Sequence, residues 1–218
     1  MIVMKGNYDN VALFYDWLSQ LVFGGAIMQS QVFLVGAIPP DCSILIIGGG
    51  AGQILEEISK KHVSGLKITY VEISEKMITR AKKKDVGNNS LVFINQSILD
   101  VILPKQFDVV LTAFLFDNYS AKTGKIIFNK IDSFLKPGGL WLFTDFQISE
   151  KNNLWQKLLL KSMYFFFKIL CEIEATHLHD FSWFFSESKY KLVSIQTFFR
   201  KFIYSAIYSK PGRTESET

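Results

Sequence analysis

The sequence predicts an α/β fold in which helices cover both faces of a doubly wound, seven-stranded mixed sheet. Short apolar runs such as SILII (43–47) alternate with helical stretches, which is typical of buried parallel strands joined by crossover helices. A cluster of glycines directly follows the first of these runs. Only Phe198, Phe199 and Arg200 separate the last two runs. A parallel crossover needs about a dozen residues, so these two strands form an antiparallel hairpin.

Each element is predicted from its local pattern of apolar residues. The predicted strands are residues 43–47, 66–73, 90–95, 107–114, 140–146, 191–197 and 201–209, the first five parallel and the last antiparallel between its neighbours. The predicted helices are residues 9–36 with a break at Gly24-Gly25, 53–62, 75–84 capped by Ser74, 122–135, 152–174 and 180–188. Residues 136–139 (KPGG) form a turn.

We therefore expect a single domain over residues 1–210, which includes the helices at 9–36 and a helical cap region at 150–188. Residues 211–218 are polar, and we expect them to form a disordered tail.

Composition narrows the classes of function. The net charge of +4 is mild, and no broad basic stripe suggests nucleic-acid binding. The two cysteines, Cys42 and Cys171, lie far apart, so we expect no zinc site and reduced thiols in a cytoplasmic protein. The apolar stretch 154–171 is interrupted by lysines at helical spacing and is not a spanning helix. A mean hydropathy of +0.19 and 20 phenylalanines indicate an aromatic core, or an apolar surface that meets a greasy ligand, a partner or a membrane.

The glycine cluster and one acidic residue form the strongest functional motif. Gly48, Gly50 and Gly52 follow the first strand, and Gln53 excludes the dinucleotide pattern, which needs a further glycine there. Backbone N–H groups of such a loop can face a ligand closely. Glu72, twenty residues past Gly52, ends the second strand, where a carboxylate can accept both ribose hydroxyls. The alternative, a plain strand–helix turn beside a solvated acid, remains open.

With these residues the chain resembles the class I S-adenosylmethionine-dependent methyltransferases over residues 8–209. The matching segments are YDNVALFYDWL (8–18), ILIIGGGAG (44–52), YVEIS (70–74), NQSILD (95–100), FDVVLTAF (107–114) and LKPGGLWLF (135–143). The first of these is similar to the N-terminal segment of the small-molecule branch that includes the quinone methyltransferases.

The resemblance implies methyl transfer from S-adenosylmethionine to a small, hydrophobic acceptor. It implies a cofactor site made by Tyr15, Gly48, Gly49, Gly50, Gly52, Glu72, Ile73, Met77, Gln96, Ser97, Ile98, Ala113 and Phe114. Two departures stand out. Ile46 replaces an acid that in the family orients the loop, and Asn95-Gln96-Ser97 replaces Gly-Asp-Ala. The Gln96 carbonyl can still accept a hydrogen bond from the adenine amino group.

Two other functions stay open beside methyl transfer. The glycine loop also resembles that of the spermidine-synthase-like aminopropyltransferases, which carry paired acids after the fourth strand. Here that stretch holds Asp117 alone, which argues against aminopropyl transfer. Ile46 keeps open a binding module that retains S-adenosylmethionine without catalysis.

The acceptor side is harder to interpret. Tyr15 and His179 are the candidate catalytic groups, with Tyr8, His177, Asp117 and Asn118 as further candidates. Their structural alternatives are ordinary helix packing for the tyrosines, a helix N-cap for Asp117 and Asn118, and a surface or capping role for the histidines. No metal is predicted.

Residues 154–185 hold eight aromatics, so we predict that with Phe114 and Tyr15 they form an apolar cap over the methyl-donor pocket. Such a cap favours a quinone-, phenol- or lipid-like acceptor, since polar groups would be desolvated there. It is also compatible with peripheral membrane contact or a homodimer. If the pocket next to the sulfonium is lined mainly by charged residues, with 154–185 packed elsewhere, the apolar-acceptor idea fails and the aromatics are simply core.

Overall fold

The sheet has the topology that the sequence predicts. The structure, a computed structural model, describes residues 23–103, 106–148, 154–171 and 178–212, with the backbone alone for 163–171. Its strands are β1 (Ser43–Ile47), β2 (Ser64–Val71), β3 (Asn88–Ile94), β4 (Phe107–Ala113), β5 (Leu135–Phe146), β6 (Lys191–Phe198) and β7 (Ile203–Ser209). Their order is β3-β2-β1-β4-β5-β7-β6. Strands β1 to β5 are parallel, and β7 runs antiparallel to both β5 and β6.

The helices also follow the prediction closely. They are α1 (Ala26–Val35), α2 (Gln53–Lys61), α3 (Glu75–Ala81), α4 (Ala121–Phe134), α5 (Leu154–Cys171) and α6 (Ser182–Glu187). The predicted break at Gly24-Gly25 immediately precedes α1, whereas residues 9–22 of the predicted first helix lie outside the described residues. Ser74 caps α3 as expected, because its hydroxyl accepts a hydrogen bond from Met77 N at 3.2 Å. The helix ends at Ala81 rather than at Lys84.

Among the boundaries that differ from the prediction, three concern the candidate site and the turns. Strand β2 ends at Val71, so Glu72 and Ile73 lie in the connection that follows it. The predicted turn at 136–139 is a bulge at the start of β5, where Phe107 pairs with Leu135 and Val109 already pairs with Leu140. Strand β7 starts at Ile203 because residues 199–201 have positive φ angles and make the hairpin turn.

Helices cover both faces of the sheet. On one face, α1 and α2 bury Leu34 and Ile58 against Ile44 and Ile46 of β1. On the other face, α4 and α6 bury a ring-rich cluster: Phe128, Phe184 and Phe185 pack on Trp141 and Phe143 of β5. Full burial of each such side chain stabilises the fold by about 1.5–3 kcal/mol.

A third cluster lies where β5 ends and β7 begins. Phe23, Phe146 and Phe202 form its buried centre, with ring centroids 5.2–6.1 Å apart. Helix α5 contributes Leu160 from inside and Trp155 from the margin. In the described parts of the chain, no helix combines the length and apolarity needed to cross a bilayer.

Candidate functional site

The glycine loop lies at the carboxyl edge of the sheet, between two parallel neighbours of β1. Ile47, the last residue of β1, is in register with Val71 on one side and Thr112 on the other. Gly48, which follows it, donates its N–H to Val71 O at 2.9 Å. The residues that follow β1, β2 and β4 therefore meet at one edge, which is where open α/β sheets bind ligands.

The loop has a backbone that favours glycine. Gly48, Gly50 and Gly52 have φ angles of +67°, +62° and +82°, which side chains rarely adopt. A Cβ added to Gly52 would lie 2.8 Å from Ala81 Cβ of α3. At Gly50, by contrast, an added Cβ would meet no atom within 4 Å, so open space lies beside the loop. The loop is thus packed against α3 at Gly52 and open to a ligand at Gly50.

Glu72 connects the loop to the end of β2. Its carboxylate accepts hydrogen bonds from Gly50 N at 3.1 Å and from Ser74 N at 2.9 Å, one on each oxygen. The residue is 7% exposed. The structure brings the predicted loop and the predicted acid into direct contact, and their contacts with a cofactor stay a prediction.

Tyr70 was not among the predicted site residues, yet it fixes the middle of the loop. Its hydroxyl donates to Gly50 O at 2.9 Å, and its ring fills the space that a Cβ on Gly49 would need. Burial, and secondarily the charge of Glu72, raises the pKa of Tyr70 well above its ordinary value, so the hydroxyl remains a donor. The signal in the sequence was a hydroxyl-bearing aromatic two residues before the predicted acid.

Ile46 occupies the position where the resemblance implies an acid. It is fully buried and belongs to the core cluster that also contains Ile54 and Leu111. A carboxylate there would be desolvated at high cost unless it were paired. Instead Tyr70 and Glu72, both from the β2 side, hold the loop through Gly50.

The end of β3 joins the same edge through Asn95. Its side-chain amide donates to Glu72 O at 3.0 Å and to Ile73 O at 2.9 Å. The segment 96–98, which the resemblance assigns to adenine, therefore begins beside Glu72. Within it Gln96 is exposed and Ile98 is buried. The remaining members of the predicted set are placed on this edge as well: half-buried Met77 in the first turn of α3, and Ala113 at the end of β4.

The acceptor segment, which we define as residues 114–118, follows β4 at this edge. Phe114 has a φ of +52°, an outlier for a bulky residue, and its N–H donates to Thr144 O at 2.9 Å. A 3₁₀ helix (Phe116–Asn118) completes the segment. The helix-cap interpretation of Asp117 and Asn118 is wrong, because Ser120 caps α4 and accepts a hydrogen bond from Thr123 N.

Asp117 is not the lone acid that the sequence indicates. Asp145, the penultimate residue of β5, is 3% exposed and lies close enough for its charge to raise the pKa of Asp117, after the larger effect of burial. Its carboxylate accepts hydrogen bonds from Phe116 N at 3.1 Å and Phe146 N at 2.8 Å. Burial raises the pKa of Asp145 to about 7 against the lowering effect of these bonds. The Asp145 carboxylate is thus occupied by backbone N–H groups of the protein itself.

The predicted aromatic cap is wrong in part. Phe181, Phe184 and Phe185 are at most 3% exposed and pack in the core with Phe128, because the wide β5–β7 face needs covering. Trp183 is 49% exposed. His179 is half-buried, with its ring 5.9 Å from that of Phe181. For Tyr164, Phe165, Phe166 and Phe167 only the backbone is described, and Tyr8, Tyr15 and His177 lie outside the described residues.

Comparison with known proteins also points to a methyltransferase. Residues 45–141 match the family described as "Methyltransferase domain". The chain is 36% identical over 104 residues to a malonyl-[acyl-carrier protein] O-methyltransferase of Ilyobacter polytropus, covering 48% of this chain and 39% of that protein. It is 27% identical over 150 residues to the ubiquinone/menaquinone biosynthesis C-methyltransferase of Wigglesworthia glossinidia brevipalpis, covering 66% and 59%.

A solved structure shares the fold. The N-methyltransferase NodS from Bradyrhizobium japonicum, in complex with S-adenosyl-L-homocysteine, superposes with a TM-score of 0.59 at 15% identity, covering 85% of each chain. The matched regions span only 39% and 59% of the two curated relatives named above.

Residues 45–141 thus match a methyltransferase domain, and the sheet order and the glycine loop with its acidic partner agree with the resemblance to the class I S-adenosylmethionine-dependent methyltransferases. These comparisons favour methyl transfer over aminopropyl transfer, although Asp117 does have an acidic neighbour.

Proposed function

We propose that this chain transfers a methyl group from S-adenosylmethionine to a small, mainly apolar acceptor of the quinone, phenol or lipid kind. The observation that carries the cofactor half is the direct hydrogen bond between the loop glycine and the buried acid, Gly50 N to Glu72. The observation that supports the acceptor half is the ring-rich wall beside the acceptor segment.

The residues present fit the cofactor. Glu72, fixed by two backbone N–H groups, offers carboxylate oxygens for ribose hydroxyls at the end of β2. The open space at Gly50 leaves room for the methionine end along the loop. Half-buried Ile73 and Met77, together with the 96–98 segment, provide a surface for adenine. We therefore assign the ribose to Glu72 and the methionine end to Gly48–Gly52.

The chemistry asks little of the protein beyond placement. S-adenosylmethionine, when bound, supplies a methyl group that its sulfonium already activates. The chain's part is to hold an acceptor atom in line with that group and to keep water out. A base is needed only for an acceptor that is protonated when it reacts.

The wall beside the acceptor segment is apolar. Phe114 lies 4.9 Å from Phe146 between ring centroids, and Phe146 continues into the third cluster with Phe23 and Phe202. Phe146, Phe23 and Phe202 are at most 6% exposed, so they back this side of the segment, and half-buried Phe114 is the ring that can meet an acceptor. An aromatic ring leaves polar acceptor groups without partners, which costs free energy. One relative is a ubiquinone/menaquinone biosynthesis C-methyltransferase, which is in line with a quinone-like acceptor.

The test is a methylation screen of the full chain with S-adenosylmethionine. Quinols, phenols and fatty acyl compounds form the apolar panel, and amines and amino acids form the polar panel. Mass spectrometry detects products heavier by one methyl group. We expect products in the apolar panel only, and much less product with Glu72→Ala at cofactor concentrations near the wild-type Kd. Methylation confined to the polar panel would overturn the acceptor assignment, and failure to bind cofactor would overturn the whole proposal.

A further inference from the structure

The acceptor segment is held in a strained shape by contacts that come from outside it. A bulky residue with positive φ, such as Phe114, is strained and persists only where its surroundings impose that conformation. From β5, Thr144 O accepts the N–H of Phe114, and the Asp145 carboxylate accepts the N–H of Phe116. From within, the Asn118 amide donates to Phe114 O at 3.1 Å and to Leu115 O at 3.2 Å.

Asp145 is the only side chain of another strand among these hydrogen-bond partners in the described residues. Its second oxygen accepts Phe146 N, which anchors the carboxyl group to the end of β5. The carboxyl therefore joins two strand ends, the segment after β4 and the last residue of β5. Because both oxygens accept N–H groups, its position is fixed and it fixes Phe116 in turn.

The segment held in this way touches the cofactor loop. Leu115 Cδ1 lies 3.1 Å from the position of an added Cβ on Gly48, the first loop glycine. Leu115 directly precedes the 3₁₀ helix whose first N–H Asp145 holds. A shift of the segment caused by a change at Asp145 would therefore reach the glycine loop through Leu115.

We propose that Asp145 is a positioning residue that holds the acceptor segment against the glycine loop. The proposal concerns cofactor binding directly and rests on the proposed methyl transfer only for its effect on turnover.

The electrostatic surroundings of Asp145 decide how pH changes its hold on the acceptor segment. Burial raises the pKa of Asp145 to about 7, while N–H groups of Phe146, Phe116 and Asp117 lower it. Burial, and then the charge of Asp145, raises the pKa of Asp117, so Asp117 stays protonated while Asp145 ionises. Tyr204 faces Asp145 from β7, with its own pKa raised by burial, by Tyr208 and then by Asp145 and Asp180, so it stays neutral.

The direction of the pH dependence follows from the linkage between proton binding and conformation. A carboxyl with a raised pKa in the held conformation binds its proton more tightly there than in water. The held conformation is therefore favoured fully below about pH 4 and loses that advantage as the pH rises to about 7. We expect cofactor affinity to fall as the pH rises through this window.

The experiment measures the affinity for S-adenosylhomocysteine by calorimetry between pH 5 and 8.5. The wild type should weaken several-fold across this range. Asp145→Asn is neutral at every pH and keeps one acceptor oxygen, so its affinity should be flat with pH. Asp108→Asn is the matched control. Asp108 lies on neighbouring β4 at the opposite edge, and its pKa of about 2 keeps it ionised throughout. This control should keep the wild-type slope.

A second readout does not depend on ligand. Hydrogen exchange of the Phe116 amide, corrected for intrinsic rate, should show protection in the wild type that declines toward pH 8, and constant protection in Asp145→Asn. A wild-type affinity that is flat with pH, an Asp145→Asn variant that keeps the slope, or a control that loses it would each overturn the inference. Absence of S-adenosylhomocysteine binding in every variant would instead count against the proposed function, and Phe116 protection would then decide the inference alone.

Discussion

The glycine loop after β1 and the acceptor segment after β4 lie at the same edge of the sheet but are held by different kinds of contact. The glycine loop takes its shape from glycine φ angles and from Tyr70 and Glu72, which stand together at the end of the neighbouring strand. The acceptor segment takes its shape from Thr144 and Asp145, which lie 30 and 29 residues after the Phe114 and Phe116 N–H groups that they bind. A cofactor that is common to a whole family can be served by a compact motif, whereas the acceptor side depends on how distant strands end.

The largest expected effect tests where the aromatic residues belong. Phe185 stacks on Tyr208 with ring centroids 3.9 Å apart and meets Trp141 edge-on at 5.0 Å. Phe185→Ala should lower the free energy of unfolding by about 3–5 kcal/mol, measured by urea denaturation, because it leaves a cavity in the core. Trp183→Ala, at the exposed position of the same helix, should cost less than about 1 kcal/mol. Weaker cofactor binding by a folded Phe185→Ala protein would return this residue to the acceptor side.

The next effect tests the cofactor side. Glu72→Ala should weaken S-adenosylhomocysteine binding by about 1.5–3 kcal/mol, the range for a hydrogen bond to a charged group. Glu56→Ala, which removes a surface acid paired with Lys84, is the control and should leave the affinity unchanged. Calorimetric titration measures both. If Glu72→Ala folds and binds as the wild type does, the ribose is bound elsewhere.

A smaller effect separates loop geometry from general stability. Tyr70→Phe removes the hydroxyl that Gly50 O accepts, and should weaken cofactor binding by about 0.5–1.5 kcal/mol. Tyr190→Phe removes a comparable bond, from Tyr190 Oη to Asp132 Oδ1 at 2.7 Å, away from the loop. It should lower thermal stability and leave the affinity unchanged. Equal losses of affinity in the two variants would show that Tyr70 acts through stability alone.

The smallest expected effect concerns Asp108 near the start of β4, in contrast to Asp145 at the end of neighbouring β5. Asp108 is buried enough to raise its pKa, but hydrogen bonds from Lys136 and Ser43 outweigh this and bring it to about 2. Its contribution to stability is therefore present above about pH 4 and lost as the pH falls toward 2. Because the side chain is 38% exposed, we expect less than about 1 kcal/mol. Asp108→Asn should flatten only this acid limb of the unfolding free energy, and a change confined to pH 5–8 would contradict the assignment.

Local patterns in the sequence were enough for most of the fold. Strand β1, the hairpin of β6 and β7 and the Ser74 cap each depend on residues within a few positions of one another, and all three are confirmed. Glu72 could be paired with the loop because parallel strands end at one edge. That this set binds S-adenosylmethionine residue by residue stays a prediction.

Contacts between residues far apart in the chain could not be predicted from the sequence. Phe116 and Asp145 are 29 residues apart, and nothing near either of them indicates the other. Likewise the aromatics of α6 have the same pattern whether they face a ligand or a core. Their burial is decided by the width of the β5–β7 face, which only the assembled sheet defines.

Trp141 gives this molecule an intrinsic optical probe. Its indole is fully buried, stacks 4.9 Å from Phe128 and donates to the Thr112 hydroxyl at 2.9 Å, so it bridges β4 and β5 beneath α4. An indole in such surroundings fluoresces at shorter wavelength than one in water, and Trp183, which is half exposed, provides the contrasting red component. Selective quenching by iodide would dim the second and spare the first. In a variant whose other tryptophans, Trp17, Trp155 and Trp183, are replaced by phenylalanine, the blue-shifted emission would follow the integrity of the central strands during unfolding.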